Sequence, residues 1–130
     1  MNEQKTHILI VEDDPFLAEI YVTRLEADQF NVTLSRNGED GLQKIKEIHP
    51  DLVLLDLVLP DRDGFSILEE AKKDAATKDI PVIILSNLGE KEDVSRGMSL
   101  GAADYVVKAH FTPSEVVAKA KQVLSQNKSS

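Results

Sequence analysis

Short runs rich in Val, Ile and Leu alternate along the chain with longer segments of helical period. Five runs read as strands: His7–Val11, Asn31–Ser35, Leu52–Leu55, residues 81–85 and residues 103–107. In the second run, Asn31, Thr33 and Ser35 alternate with Val32 and Leu34, which suits an edge. Pro15–Ala27 carries Phe16, Leu17, Ile20, Val22 and Leu25 at roughly helical steps, and Pro15 suits a first turn. Asn37 caps a second helix with Leu42, Ile45 and Ile48. Asp63 and Gly64 open a third, with Phe65, Ile67, Leu68 and Ala71 inward. Residues 89–100 form a weak fourth helix, dominated at its start by Glu90, Lys91, Glu92 and Asp93 and interrupted by Gly97. Residues 112–126 form a strong fifth, opened by a capping box of Thr112, Pro113 and Glu115. The polar residues 125–130 are expected to fray.

Strictly alternating strands and helices imply a parallel sheet covered on both faces. Right-handed crossovers then lead to an α/β, flavodoxin-like doubly wound (βα)5 fold, with five parallel strands in the order 2-1-3-4-5. The 130 residues suit one domain, 1–130, with a core of about 6–126 and a short polar tail, 127–130. The absence of cysteine removes disulfides, thiol catalysis and Cys-based zinc sites, and fits a reducing, cytoplasmic setting. A net charge of −8 suits neither direct nucleic-acid binding nor an anionic membrane. Met1 to Thr6 are polar, and no apolar stretch approaches the roughly 18 residues of a membrane span, so neither a secretion signal nor a span is expected.

The sequence DLVLLDLVLP, residues 51–60, interrupts an aliphatic run with one charge, Asp56. An ionised carboxylate in such surroundings is costly unless paired. In sheets of this kind, ligands bind beyond the carboxyl ends of the strands. There the sequence places Glu12, Asp13 and Asp14, then Asp56, then Ser86 and Asn87, then Lys108. Taken singly, these residues have ordinary readings: a solvated turn with a helix cap, a backbone-bonded hydroxyl, a snorkelling surface lysine. His7, His49 and His110 share no ligand spacing, and Tyr105 is expected to pack against neighbours. Together, the clustered carboxylates call for a cation, and without Cys or His nearby a hard one such as Mg2+ fits. Metal, hydroxyl and ammonium are complementary to a phosphoryl group, and an aspartate at their centre can act as a nucleophile.

The motifs ILIVEDD, DLVLLDLVLPDRDG, PVIILS and GAADYVVKA, in this order and spacing, make the chain resemble the receiver domain of two-component response regulators, including chemotaxis receivers. The resemblance covers about residues 6 to 126. It implies that Asp56 accepts a phosphoryl group from a histidine kinase or phosphotransfer protein, and that the domain catalyses its own phosphorylation and dephosphorylation. It implies Mg2+, or Mn2+, held by Glu12, Asp13, Asp56 and the backbone carbonyl of Val58, with Glu12 acting largely through water. Ser86 takes the place of the switch hydroxyl, Tyr105 the aromatic switch position, and Lys108 the phosphoryl-pairing lysine. Output is expected through the face made by the fourth helix, fifth strand and fifth helix, toward a downstream protein or a homodimer. No effector domain is recognisable after the last helix.

Two departures from the family pattern matter. Ala109 stands where proline usually follows the lysine, and a cis bond before alanine costs about 3 kcal/mol, so an altered loop is expected there. Asn87 stands where a small residue is common, which would narrow access to Asp56. Val58 and Leu88 occupy positions that tune hydrolysis, and neither can orient an attacking water, so a long-lived phosphoryl group is expected. The alternative is a pseudo-receiver adaptor that docks partners unphosphorylated; the intact set of Asp13, Asp56, Ser86 and Lys108 argues against it. A haloacid-dehalogenase-like phosphatase would need a second Asp where Val58 stands. A flavin site would need something other than the acidic turn after strand one.

Overall fold

Side chains along a strand point alternately to opposite faces, and this sheet has a core on each. A computed structural model describes residues 5–128. The elements are β1 (His7–Val11), α1 (Pro15–Ala27), β2 (Asn31–Ser35), α2 (Gly38–Ile48), β3 (Leu52–Leu55), α3 (Gly64–Lys73), β4 (Val82–Ser86), α4 (Lys91–Ser99), β5 (Asp104–Val107), a 3-10 turn (Lys108–His110) and α5 (Pro113–Lys128). All pairings are parallel, in the order β2-β1-β3-β4-β5, so β2 lies at an edge as its polar alternation implies.

Ile8, Ile10, Leu52, Leu54, Ile83, Leu85 and Val106 face α1 and α5. Their neighbours Leu9, Val11, Val53, Leu55, Val82 and Ile84 face α2 and α3. The three central strands are buried on both sides, which is why they read as nearly unbroken apolar runs. Burying each large side chain there stabilises the fold by about 1.5–3 kcal/mol.

Several boundaries differ from the sequence reading. β4 starts at Val82, because Pro81 has no N–H to donate; its carbonyl accepts from Val53 N at 3.0 Å. It runs on through Ser86. β5 starts one residue later, at Asp104. The inward stripe of α1 is Ala18, Tyr21 and Leu25, whereas Phe16 is 72% exposed. α4 is shorter than expected, Lys91–Ser99, and at its start the Asp93 carboxylate accepts from Glu90 N at 3.2 Å. Gly97 does not interrupt α4; it is the helix's one buried residue. A Cβ there would lie 2.5 Å from Ile84 Cδ1 and 3.1 Å from the Tyr105 ring, so glycine lets α4 lie close on the sheet. α5 runs to Lys128, past the expected fray; the last two residues of the tail and the first four of the chain lie outside the described residues. No helix among the described residues is long and apolar enough to cross a membrane.

Candidate functional site

The strand order reverses direction between β1 and β3, which opens a crevice at their carboxyl ends. β1 runs into Glu12, whose N–H donates to Ser35 O at 2.9 Å. Asp14 then caps α1 through Phe16 N at 2.9 Å. Asp56 N donates to Val11 O at 3.0 Å, which ties the end of β3 to the end of β1. Both carboxylates are thereby carried by rigid strand ends. The Glu12 and Asp56 side chains are only 2% and 7% exposed, while Asp13 is exposed.

Lys108 reaches in from the end of β5. Its Nζ lies 3.0 Å from Asp56 Oδ2, to which it donates a hydrogen bond, and 2.7 Å from Glu12 Oε1. The altered loop expected at Ala109 is the 3-10 turn, with no cis bond among the described residues, and it delivers the lysine to the acids. Burial raises the pKa of the Glu12 carboxyl; Lys108 and the Asp14 N–H pull it back, and the Asp56 charge adds to the rise. Burial alone would lower the Lys108 pKa, but its two acidic partners outweigh burial and hold it above the ordinary lysine value.

The carboxylates also leave capacity for a cation. Oxygens of Glu12, Asp13 and Asp56 lie within 4.8 Å of one another. The buried Glu12 Oε1 has the Lys108 ammonium beside it as its ion-pair partner. Three carboxylates clustered in this way, offering hard oxygen ligands, fit a small divalent cation such as Mg2+. No histidine joins this cluster.

The loop after Asp56 is held closely. Val58 N donates to Asp56 Oδ1 at 3.3 Å, while the Val58 side chain is 60% exposed. Val58 pairs with Asp63 across the loop, and Gly64 N donates to Leu57 O at 2.9 Å. A Cβ on Gly64 would lie 2.4 Å from Asp56 O, so only glycine allows this approach. Asp63 caps α3 through Phe65 N at 2.9 Å.

Ser86 is fully buried at the end of β4, and its Oγ accepts from Leu88 N at 3.3 Å. The Tyr105 hydroxyl donates to Leu88 O. Burial, helped by the charges of Asp93 and Asp56, pushes the Tyr105 hydroxyl up to about 12, so it is a donor at neutral pH. The turn of Ser86, Asn87 and Leu88 is thus clasped from both sides. Glu12, Asp13, Asp56 and Lys108 are thus brought together, Ser86 ends β4, and Tyr105, within β5, reaches the turn after Ser86 through its hydroxyl. Sequence reasoning missed Asp61, whose carboxylate accepts from Gly38 N and Glu39 N at 2.7 and 2.9 Å. It also missed Tyr21, buried on α1 and raised in pKa by burial, where it feels the charges of Lys108, Glu12 and Asp56.

Comparison with known proteins gives the same answer by another route. Residues 8–121 match the response regulator receiver domain. A probable transcriptional regulator, ycf27, of Pyropia yezoensis is 39% identical over 124 residues, covering 95% of this chain and 49% of that protein. The phosphate regulon transcriptional regulatory protein PhoB of Escherichia coli (strain K12) is 38% identical over 117 residues, covering 90% and 51%. The chain thus spans about half the length of the curated relatives it matches. A CheY-like receiver domain protein from Methanospirillum hungatei JF-1 superposes with a TM-score of 0.89 at 27% identity, covering 96% of this chain and 98% of that one. With the (βα)5 order, the acidic rim and a family match over nearly the whole length in agreement, the chain belongs to the response regulator receiver domains of two-component signalling.

Proposed function

We propose that this receiver domain accepts a phosphoryl group on Asp56 from a histidine kinase or phosphotransfer protein, with Mg2+ or Mn2+ bound. The observation that carries the reading is the buried Asp56 carboxylate, paired with Lys108 at 3.0 Å and within reach of two further acids. An Asp56 oxygen attacks phosphorus; the P–O bond forms as the P–N bond to the donor imidazole breaks, and the imidazole keeps the electron pair. Glu12, Asp13, Asp56 and the Val58 carbonyl would hold the cation, which offsets the charge of the incoming phosphoryl oxygens. Lys108 supplies a fixed ammonium beside the acceptor, already desolvated and oriented. Ser86 accepts from Leu88 N, which leaves its own proton able to turn toward a phosphoryl oxygen.

Val58, two residues past Asp56, and Leu88, two past Ser86, carry apolar, exposed side chains that cannot orient water. The phosphoryl group should therefore persist for minutes or longer, and a half-life of seconds contradicts this part. The signal would then pass through Ser86, Leu88 and Tyr105 to α4, and the face of α4, β5 and α5 would dock a downstream protein or a second copy. We place this activity in the cytoplasm. With a net charge of −8, the domain by itself is poorly suited to contacting nucleic acid. The relatives are named as transcriptional regulators and are about twice as long, so DNA contact in such a protein would fall to the region this chain does not match.

Incubation with acetyl phosphate and Mg2+, followed by intact-mass measurement, tests the reading. It predicts one added phosphoryl group, absent in Asp56→Asn and absent without Mg2+. An unchanged wild-type mass in the presence of Mg2+ would favour a docking role without phosphorylation.

A further inference from the structure

The loop that follows Asp56 is anchored at its tip to a helix that supplies no site residue. Asp61 uses both carboxylate oxygens for this: Oδ1 accepts from Gly38 N at 2.7 Å and Oδ2 from Glu39 N at 2.9 Å. These are the first two amides of α2, where a carboxylate is favoured by the helix dipole. The helix already has its own cap, since Asn37 Oδ1 accepts from Asp40 N at 2.8 Å. Arg62 adds a second brace, with Glu39 Oε2 at 3.1 Å on α2 and Glu70 Oε1 at 2.7 Å on α3. At its base the loop is closed by Gly64 N to Leu57 O and by the pairing of Val58 with Asp63. Only Leu59 and Pro60 lie between base and tip, and proline fixes its own φ.

We infer that Asp61 is a positioning residue for the metal site: by clamping the loop tip to the start of α2 it holds the backbone of Val58 in place beside Asp56. This rests on the reading that Val58 offers its carbonyl to the cation. The clamp acts at a distance from the chemistry, so it should affect affinity for the ion and order in the loop more than the chemical step. The helix-cap role alone would affect stability only. Asn37→Ala separates the two, because it uncaps the same helix without touching the loop.

The test is titration of the metal-free protein with MgCl2 by calorimetry, together with amide hydrogen exchange without metal, on wild type, Asp61→Ala, Asp61→Asn and Asn37→Ala. Asp61→Ala should weaken Mg2+ binding about tenfold. It should also speed exchange severalfold at Val58 and Gly64, whose amides are hydrogen-bonded at the base of the loop, while phosphorylation by acetyl phosphate at saturating Mg2+ stays within about twofold of wild type. Asp61→Asn keeps one accepting oxygen and should fall between. Asn37→Ala should bind Mg2+ like wild type. The inference is overturned if Asp61→Ala matches wild type in affinity and exchange, or if Asn37→Ala weakens binding as much. A wild-type protein that binds no Mg2+ overturns the metal reading and this inference together, which distinguishes the two failures.

Discussion

Lys108 sits between two buried carboxylates, 2.7 Å from Glu12 Oε1 and 3.0 Å from Asp56 Oδ2, and its ammonium offsets their charge there. Removing it should leave Glu12 and Asp56 repelling each other in a poorly solvated place. Lys108→Met is therefore expected to lose about 3 kcal/mol of stability in urea unfolding, as breaking a buried pair usually does. It should also slow phosphorylation by acetyl phosphate at least about 100-fold, as lost electrostatic stabilisation does. An unchanged unfolding midpoint would mean that the acids are neutralised in some other way. Val58 raises a separate question at the same scale. With an apolar, exposed side chain beside the acceptor, it has no group to present to water. Val58→Asn should shorten the phosphoryl half-life severalfold, measured by mass after removal of the donor; an unchanged half-life would place control of hydrolysis elsewhere.

Among the α-helices, α4 buries little, while the start of α2 is tied down by several side chains. α4 buries only Gly97, and Arg96 covers the Phe65 ring at 4.2 Å from its centre. Alanine is a better helix former than glycine by about 1 kcal/mol, yet Gly97→Ala puts a methyl into Ile84 and Tyr105. Overpacking should win, with a net loss of about 1–2 kcal/mol and faster hydrogen exchange across α4; a stabilised variant would contradict the close packing. α2 is tied down by Asn37, Asp61 and Asp40. Hydrogen bonds from Ser35 and Lys44 hold the Asp40 carboxyl below its usual pKa. A lowered carboxyl contributes stability above its unfolded pKa, and that contribution is lost as pH falls through the folded value. Asp40→Asn should therefore flatten part of the decline in urea midpoint below about pH 4. Element type was readable because periodicity marks burial, and the caps at Asn37, Asp63 and Thr112 were visible as residue types. The inward stripe of α1 was not, because Tyr21 and Ala18 carry it while the larger Phe16 points to solvent.

Across the whole molecule, the two cores share one sheet, so the strands that build the fold also aim the site. Leu54 lies in β3 two residues before Asp56, fully buried among the α1 and α5 contacts. Leu54→Ala should cost about 2–5 kcal/mol in urea unfolding and loosen the acceptor as well; a smaller loss would mean the cavity collapses. The rim was legible because a doubly wound topology sends the residues after every strand to one edge, however far apart they lie in sequence. Lys108 was legible as a candidate, but its reach depended on a turn without the usual proline, which the 3-10 segment resolves. The Asp61 clamp was not legible, since a contact between positions 38 and 61 has no periodicity to announce it. What unites these scales is the claim that Asp56 is a phosphoryl acceptor. The most direct measurement is borohydride reduction of the protein after treatment with acetyl phosphate and Mg2+, followed by peptide mapping. Reduction of the acyl phosphate is expected at Asp56 alone; reduction at another carboxylate, or none in a protein that binds Mg2+, would contradict a phosphoryl acceptor at Asp56.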